Sequence, residues 1–195
     1  METVGDGVLD VPAANGGVLF WEVSQLIHPN RKKNRLSSEH YSQNGAYFIT
    51  ICTENRKCLL SEIVGGGVLD APATHLRSYG AVVDRRIREM NQVYSNVQTV
   101  KYVIMPNHVH LLICIDRQEN YGAAGTSRTP SPTNEIIPRY VSTFKRLCNR
   151  EIGMNIWQRS YHDHIIRGQA DFEMIWNYID TNPIRWEQDC FYTEE

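Results

Sequence analysis

The chain has five cysteines, Cys52, Cys58, Cys114, Cys148 and Cys190, an odd and scattered set with no CxxC pair. That pattern argues against a cysteine zinc centre and for reduced thiols. No apolar run approaches the ~20 residues a membrane helix needs, so no membrane partner is expected. The opening METVGDGVLD lacks the basic flank and apolar core of a secretory signal, which makes the cytoplasm the expected location. There is no GxxxxGK[ST] loop, so phosphate cradling of the P-loop kind is excluded. Strong net charge is missing too: the formal value is -2 at pH 7.

What is present reads as a soluble globular protein. Over 195 residues, 42% are hydrophobic and 22% charged, enough for one folded domain with an extension. The small net charge hides an uneven distribution. Residues 1–30 carry Glu2, Asp6, Asp10 and Glu22 and no lysine or arginine. Residues 128–167 carry Arg128, Arg139, Lys145, Arg146, Arg150, Arg159 and Arg167 against Glu135, Glu151 and Asp163. A local basic surface is what phosphate binding requires, whatever the total charge. A solvated helix face has the same composition. RKKNR (31–35) is either a phosphate-touching arm or a linker. Residues 1–40 are expected to be a poorly structured extension and residues 41–195 the folded domain. VGDGVLDVPA (4–13) recurs as VGGGVLDAPA (64–73), matching at eight of ten positions. Both copies are turn-like in composition, and nothing physical explains the match.

Periodicity gives the elements. AYFITICT (46–53) is β-branched and aromatic and reads as a strand, with a short second strand over 57–60. Thr74 caps an expected helix over 75–94, whose Leu76, Tyr79, Val83, Ile87, Met90 and Tyr94 recur every three or four residues. VQTVKYVIM (97–105) and HVHLLICI (108–115) are strands joined by a Pro106-Asn107 turn, hence antiparallel neighbours. Residues 118–133 form a Gly/Ser/Pro-rich loop. A helix follows over 134–151, with Ile137, Tyr140, Val141, Phe144 and Leu147 on one side. HDHIIR (162–167) is a short strand, and a last helix covers 170–181 and stops before Pro183. The order β, α, β, β, α, β and then helix predicts an α+β, ferredoxin-like split βαβ fold with a mainly antiparallel sheet and an additional C-terminal helix.

Chemistry concentrates in two places. In HVHLLICI, His108 and His110 share one strand face with Leu112 and Cys114. Two such imidazoles can hold one metal ion, bracket a phosphate, or simply pack. A metal held by two histidines needs further donors, usually oxygen and water. The last helix offers them. Phe172, Ile175, Trp176 and Ile179 define its expected buried stripe, and Tyr178 and Asn182, at i and i+4, stack on the flank. Asn182 brings a carbonyl oxygen suited to a hard cation, and an Asn before Pro at a helix end is also a common structural feature.

HVH in a strand, followed by WQRSYHDHIIR (157–167) and WNYIDTNPIRW (176–186), resembles the single-tyrosine HUH transposases, and within them the REP-associated tyrosine transposases. The resemblance covers about Gly45 to Asp189. It implies that His108 and His110 bind a catalytic Mg²⁺ or Mn²⁺ with Asn182 as third ligand, where related enzymes often carry Gln. It implies Tyr178 as the nucleophile, and single-stranded DNA that folds into hairpins as the partner. The implied activity is a metal-dependent DNA nickase and strand transferase working through a 5′-phosphotyrosine. His164 is a candidate helper for a phenol whose ordinary pKa is ~10. Arg139, Lys145, Arg146, Arg150, Arg159 and Arg167 are the candidate DNA contacts. Trp157 and Tyr161 are candidate base-stacking or core aromatics. A monomer is favoured over a dimer. The rival expectation is a catalytically retired protein that only binds DNA hairpins. A replication initiator or relaxase, and a zinc- or RNA-binding module, fit less of the pattern.

Overall fold

The structure, a computed structural model, describes residues 44–65, 72–116 and 136–193. The RKKNR arm, the first copy of the repeat and the 118–133 loop lie outside them. The expected strand at the start of the domain is β1, Gly45–Cys52. A small hairpin follows, β2 Ser61–Val64 and β3 Ala73–Leu76, and then α1, Ser78–Val93. β4 (Val97–Ile104) and β5 (His108–Ile115) form the expected antiparallel hairpin. α2 covers Ile136–Ile152, β6 His162–Ile166, and α3 Gln169–Thr181. A 3-10 turn over Pro183–Gln188 leads into the last described residues.

Two local expectations are corrected. Residues 57–60 are not a strand: a 3-10 turn occupies Glu54–Arg56, and the strand starts at Ser61. The helix expected from residue 75 begins at Ser78, because Ala73–Leu76 pair with Ser61–Val64 instead. Thr74 is therefore a strand residue, and Arg77 is the N-cap. Leu76 kept the helical spacing by coincidence, packing against the core from a strand rather than a helix turn.

The main sheet has the order β4-β5-β1-β6, and all three pairings are antiparallel. This is the ferredoxin-like arrangement: β1 and β4 are separated by β5, which runs against both. β5 is inside the sheet, and seven of its eight residues are buried. Its alternation divides two cores. Val109, Leu111 and Ile113 join Ile49 and Ile51 of β1, Val83 and Ile87 of α1, and Ile137, Tyr140 and Phe144 of α2. Trp157 and Tyr161 are buried in this core, so they are packing residues and not surface stacking platforms. On the other sheet face, Phe48, Cys52 and Leu112 meet Ile175, Tyr178 and Ile179 of α3 and Phe191. Helices α1 and α2 therefore cover one face, and α3 covers the other.

Gly80, early in α1, shows how tightly the small hairpin is attached. A methyl group there would overlap the Leu60 carbonyl, so only glycine lets the helix lie this close.

α3 turns a different stripe inward from the one its apolar residues suggest. Ile175, Tyr178 and Ile179 are buried, Phe172 is half-buried, and Trp176 is exposed. Lys101 lies over the Trp176 ring at 4.0 Å and pairs with Asp180 at 2.6 Å, which gives one face of the exposed indole a cation partner. The tyrosine, expected on the flank, faces the sheet.

Candidate active site

β1 and β5 place the first donors. The register sets Thr50 opposite His110 and Cys52 opposite His108, so the even-numbered side chains of both strands share the face beneath α3. The two imidazole Nε2 atoms approach to 2.9 Å. Each Nδ1 is held from behind. His110 Nδ1 meets Thr50 Oγ1 at 2.8 Å, and His108 Nδ1 meets Asn107 Oδ1 at 2.9 Å. The Asn107 amide can be oriented only one way, because its Nδ2 donates to the Phe191 carbonyl at 2.8 Å and to the Arg56 carbonyl at 3.3 Å. Its Oδ1 must accept, so His108 Nδ1 carries the proton and Nε2 presents a lone pair. Metal-ligating histidines usually have such a support behind the ring.

Both histidines are completely buried. Burial pushes the His108 pKa down to about 3, helped by the positive Arg56. Burial also holds His110 well below its ordinary value, with His108 adding to the effect and Asp189 opposing it. Both are neutral at physiological pH, the form that ligates metal.

α3 and the turn after it bring the remaining groups. Tyr178, 3% exposed, sets its hydroxyl 3.4 Å from His110 Nε2 and 3.3 Å from Asp189 Oδ2. Asn182 is buried at the C-terminal end of α3 and donates its Nδ2 to Asp189 Oδ2 at 2.8 Å. Its Oδ1 is buried without a hydrogen-bond partner. Burial, with Asp189 and Cys190 adding to it, raises the Tyr178 pKa well above that of a free phenol.

The donor chemistry fits a divalent cation. His108, His110 and Asp189 offer ligand atoms within 4.8 Å of one another, and Asn182, hydrogen-bonded to Asp189, carries a buried orphan oxygen. Two imidazole nitrogens with carboxylate and amide oxygens suit manganese or magnesium better than a thiolate-loving ion.

The sequence placed His108, His110, Tyr178 and Asn182, and all four converge. Thr50, Asn107, Arg56 and Asp189 were missed. Arg56, in the left-handed region at φ 54, lays its guanidinium over the Phe191 ring and donates to the Cys190 carbonyl at 3.1 Å. Phe191 and Trp186 in turn cover the His108 ring, with centroids 4.7 and 5.9 Å away. His164 lies on the same sheet face but spends its Nε2 on Asp171 of α3 at 2.9 Å.

The basic residues gather elsewhere. Lys145, Arg146, Arg150 and Arg159 line a groove of about 760 Å³ between α2 and the 153–161 loop. Lys145 ties the two together through the Gln158 and Ser160 carbonyls, at 2.8 and 2.7 Å. Arg146, Arg150 and Arg159 extend into solvent. Arg139 is exposed earlier on α2, and Arg167 is exposed just beyond β6. Because α2 covers the opposite sheet face from α3, the groove and the tyrosine are on different sides of the molecule.

These features have counterparts in other proteins. An uncharacterised protein of Haemophilus influenzae is 33% identical over 180 residues, spanning 86% of this chain and 96% of that one. A second protein of the same bacterium, assigned as a REP-associated tyrosine transposase, is 22% identical over 151 residues, spanning 74% of this chain and 73% of that one. The solved structure of a REP-associated tyrosine transposase bound to a REP hairpin shares the fold. It has a TM-score of 0.55 and 17% identity, and the match spans 80% of this chain and 74% of that one. The chain is similar to the REP-associated tyrosine transposases in sequence and in fold. No protein-family profile matches the sequence. Among the described residues, no helix is long and apolar enough to cross a membrane.

Proposed function

We propose that this protein is a metal-dependent single-stranded DNA endonuclease and strand transferase acting on hairpin-forming DNA. The observation that carries the reading is the Tyr178 hydroxyl, 3.4 Å from a histidine nitrogen inside a buried cluster of His108, His110, Asn182 and Asp189. That the solved relative is bound to a REP hairpin supports the choice of DNA.

His108, His110 and Asn182 would hold Mg²⁺ or Mn²⁺, which would supply charge stabilisation at the scissile phosphate. Tyr178 is the nucleophile. Its oxygen forms a bond to phosphorus as the bond from phosphorus to the 3′-oxygen breaks, leaving a 5′-phosphotyrosine and a 3′-hydroxyl. A phenol with a raised pKa does not ionise unaided near neutral pH, so its proton must leave as the bond forms. Asp189 Oδ2 is the carboxylate oxygen within reach. Attack by a second 3′-hydroxyl reverses the step and rejoins strands. His164 acts indirectly, by fixing Asp171 and the first turn of the tyrosine helix. The groove cations Lys145, Arg146, Arg150 and Arg159, with the exposed Arg139 and Arg167 elsewhere on the surface, neutralise backbone phosphates. The Pro183–Thr193 segment must lift before a phosphate reaches the tyrosine, since the site beneath it is closed.

The test is a covalent-adduct gel. Labelled single-stranded hairpins from the protein's own genomic flank are mixed with protein and Mn²⁺ or Mg²⁺, then run in denaturing detergent. The expected result is a protein–DNA adduct in wild type that is abolished in Tyr178→Phe, in His108→Ala and by chelator. An adduct that survives in Tyr178→Phe refutes the nucleophile. A hairpin-dependent shift on a native gel with no adduct points to a protein that only binds.

A further inference from the structure

Asp189 is a buried carboxylate with no direct ion-pair partner among the described residues. The residue is 5% exposed, and no lysine, arginine or histidine among the described residues forms a salt bridge with it. Its hydrogen-bond donors are all neutral. The Tyr178 hydroxyl and Asn182 Nδ2 donate to Oδ2 at 3.3 and 2.8 Å, and the Phe191 amide donates to Oδ1 at 2.7 Å. Three neutral bonds orient a carboxylate but supply no counter-charge. A buried ionised carboxylate is costly unless it is paired or coordinates a metal.

A second, independent observation points the same way. Asn182 is fully buried, its Nδ2 is committed to Asp189, and its Oδ1 has no hydrogen-bond partner. That oxygen is an unused buried acceptor on a side chain already hydrogen-bonded to the Asp189 carboxylate. A cation accounts for both features at once, and a hydrophobic or purely hydrogen-bonded cluster accounts for neither.

We propose that Asp189 is a direct ligand of the divalent cation, joining His108, His110 and Asn182, and that the Pro183–Thr193 segment is therefore part of the metal site. This rests on the reading that the cluster binds a divalent cation. Two neutral imidazoles, one amide and one carboxylate leave a bound dication with a residual charge of one. That charge is available to an incoming phosphate anion. Because the Phe191 amide holds the same carboxylate, the cation ties the covering segment to the sheet through Asp189. Metal binding and the position of the segment are thereby linked.

The experiment uses the full chain. Mn²⁺ binding is followed by the electron paramagnetic resonance signal of free Mn²⁺, and coordination by the visible spectrum of the Co²⁺-loaded protein. Asp189→Asn keeps the side-chain shape and removes the charge. It is expected to weaken Mn²⁺ binding by more than the ~10–100-fold typical of losing an outer supporting group. It is also expected to change the position and intensity of the Co²⁺ bands at saturation. Asn107→Ala, which removes only the support behind His108, is expected to weaken binding while leaving the bands in place. Circular dichroism confirms that each variant is folded. A Co²⁺ spectrum in Asp189→Asn identical to wild type overturns the proposal whatever the affinity. Mn²⁺ affinity unchanged in both His108→Ala and Asp189→Asn overturns the metal reading itself.

Discussion

Acidification of the metal-free protein tests the buried histidines directly. His108 has an ordinary pKa of 6.5 and a folded value of about 3. Between those values the unfolded chain takes up a proton that the native chain refuses. Stability is then full above pH 6.5 and is lost as pH falls towards 3. At pH 5 the gap from the unfolded value costs about 2 kcal/mol, rising to about 5 kcal/mol near pH 3. His110 shifts in the same direction and adds to the loss. Against a typical domain stability of ~5–15 kcal/mol, this is a large fraction. For a domain of this size, the His108 contribution alone corresponds to a Tm drop of about 4–8 °C between pH 8 and pH 5. Thermal melts in chelator, followed by circular dichroism, measure it. His108→Ala lowers Tm at every pH through the cavity it leaves, but its pH slope is expected to be shallower than that of wild type. Surface carboxylates titrate equally in both proteins and drop out of the comparison. Parallel pH profiles from 8 to 5 would refute the assignment of His108 as a neutral buried group.

Two further outcomes follow from the same geometry. Arg146→Ala and Arg150→Ala should weaken hairpin binding and flatten its dependence on log salt by about 0.9 for each phosphate no longer neutralised; an unchanged slope removes the groove from the interface. Phe191→Ala uncovers the His108 ring, so it should lower stability by about 3–5 kcal/mol while raising the rate of adduct formation. A variant with both the lower Tm and an unchanged rate would mean that the segment is not what limits access.

The residues that sequence reasoning found are those with a local signal. The alternation of HVHLLICI placed His108 and His110 on one face, and the antiparallel register then fixed what lies opposite. The spacing of Tyr178 and Asn182 placed them on one side of a helix, but hydrophobicity misassigned that side. Trp176 counts as apolar on a helical wheel, which does not show that its ring stays exposed against Lys101 while the tyrosine turns in. The end of β3, His75 and Leu76, reads as the start of a helix because Leu76 and Tyr79 happen to continue the spacing of α1. Thr50 and Asn107 acquire their roles only through register, as supports behind the two rings. Asp189 had no signal at all. It follows a 3-10 turn, seven residues beyond Asn182, where neither a period of 3.6 nor of 2 applies. What distinguishes it is its burial beside the two histidines, which composition does not reveal.

The cluster draws on Thr50, His108, His110, Tyr178, Asn182 and Asp189, a set that spans most of the described chain. Synthesis proceeds from the N-terminus, and domains fold as their parts emerge. The histidines, on the strand that pairs with β1, are therefore made before the helix that carries Tyr178. Any fragment that stops short of residue 189 carries the histidines without the full cluster. The proposed chemistry is therefore assembled late, at one point in translation, and a prematurely terminated copy is expected to leave DNA strands intact.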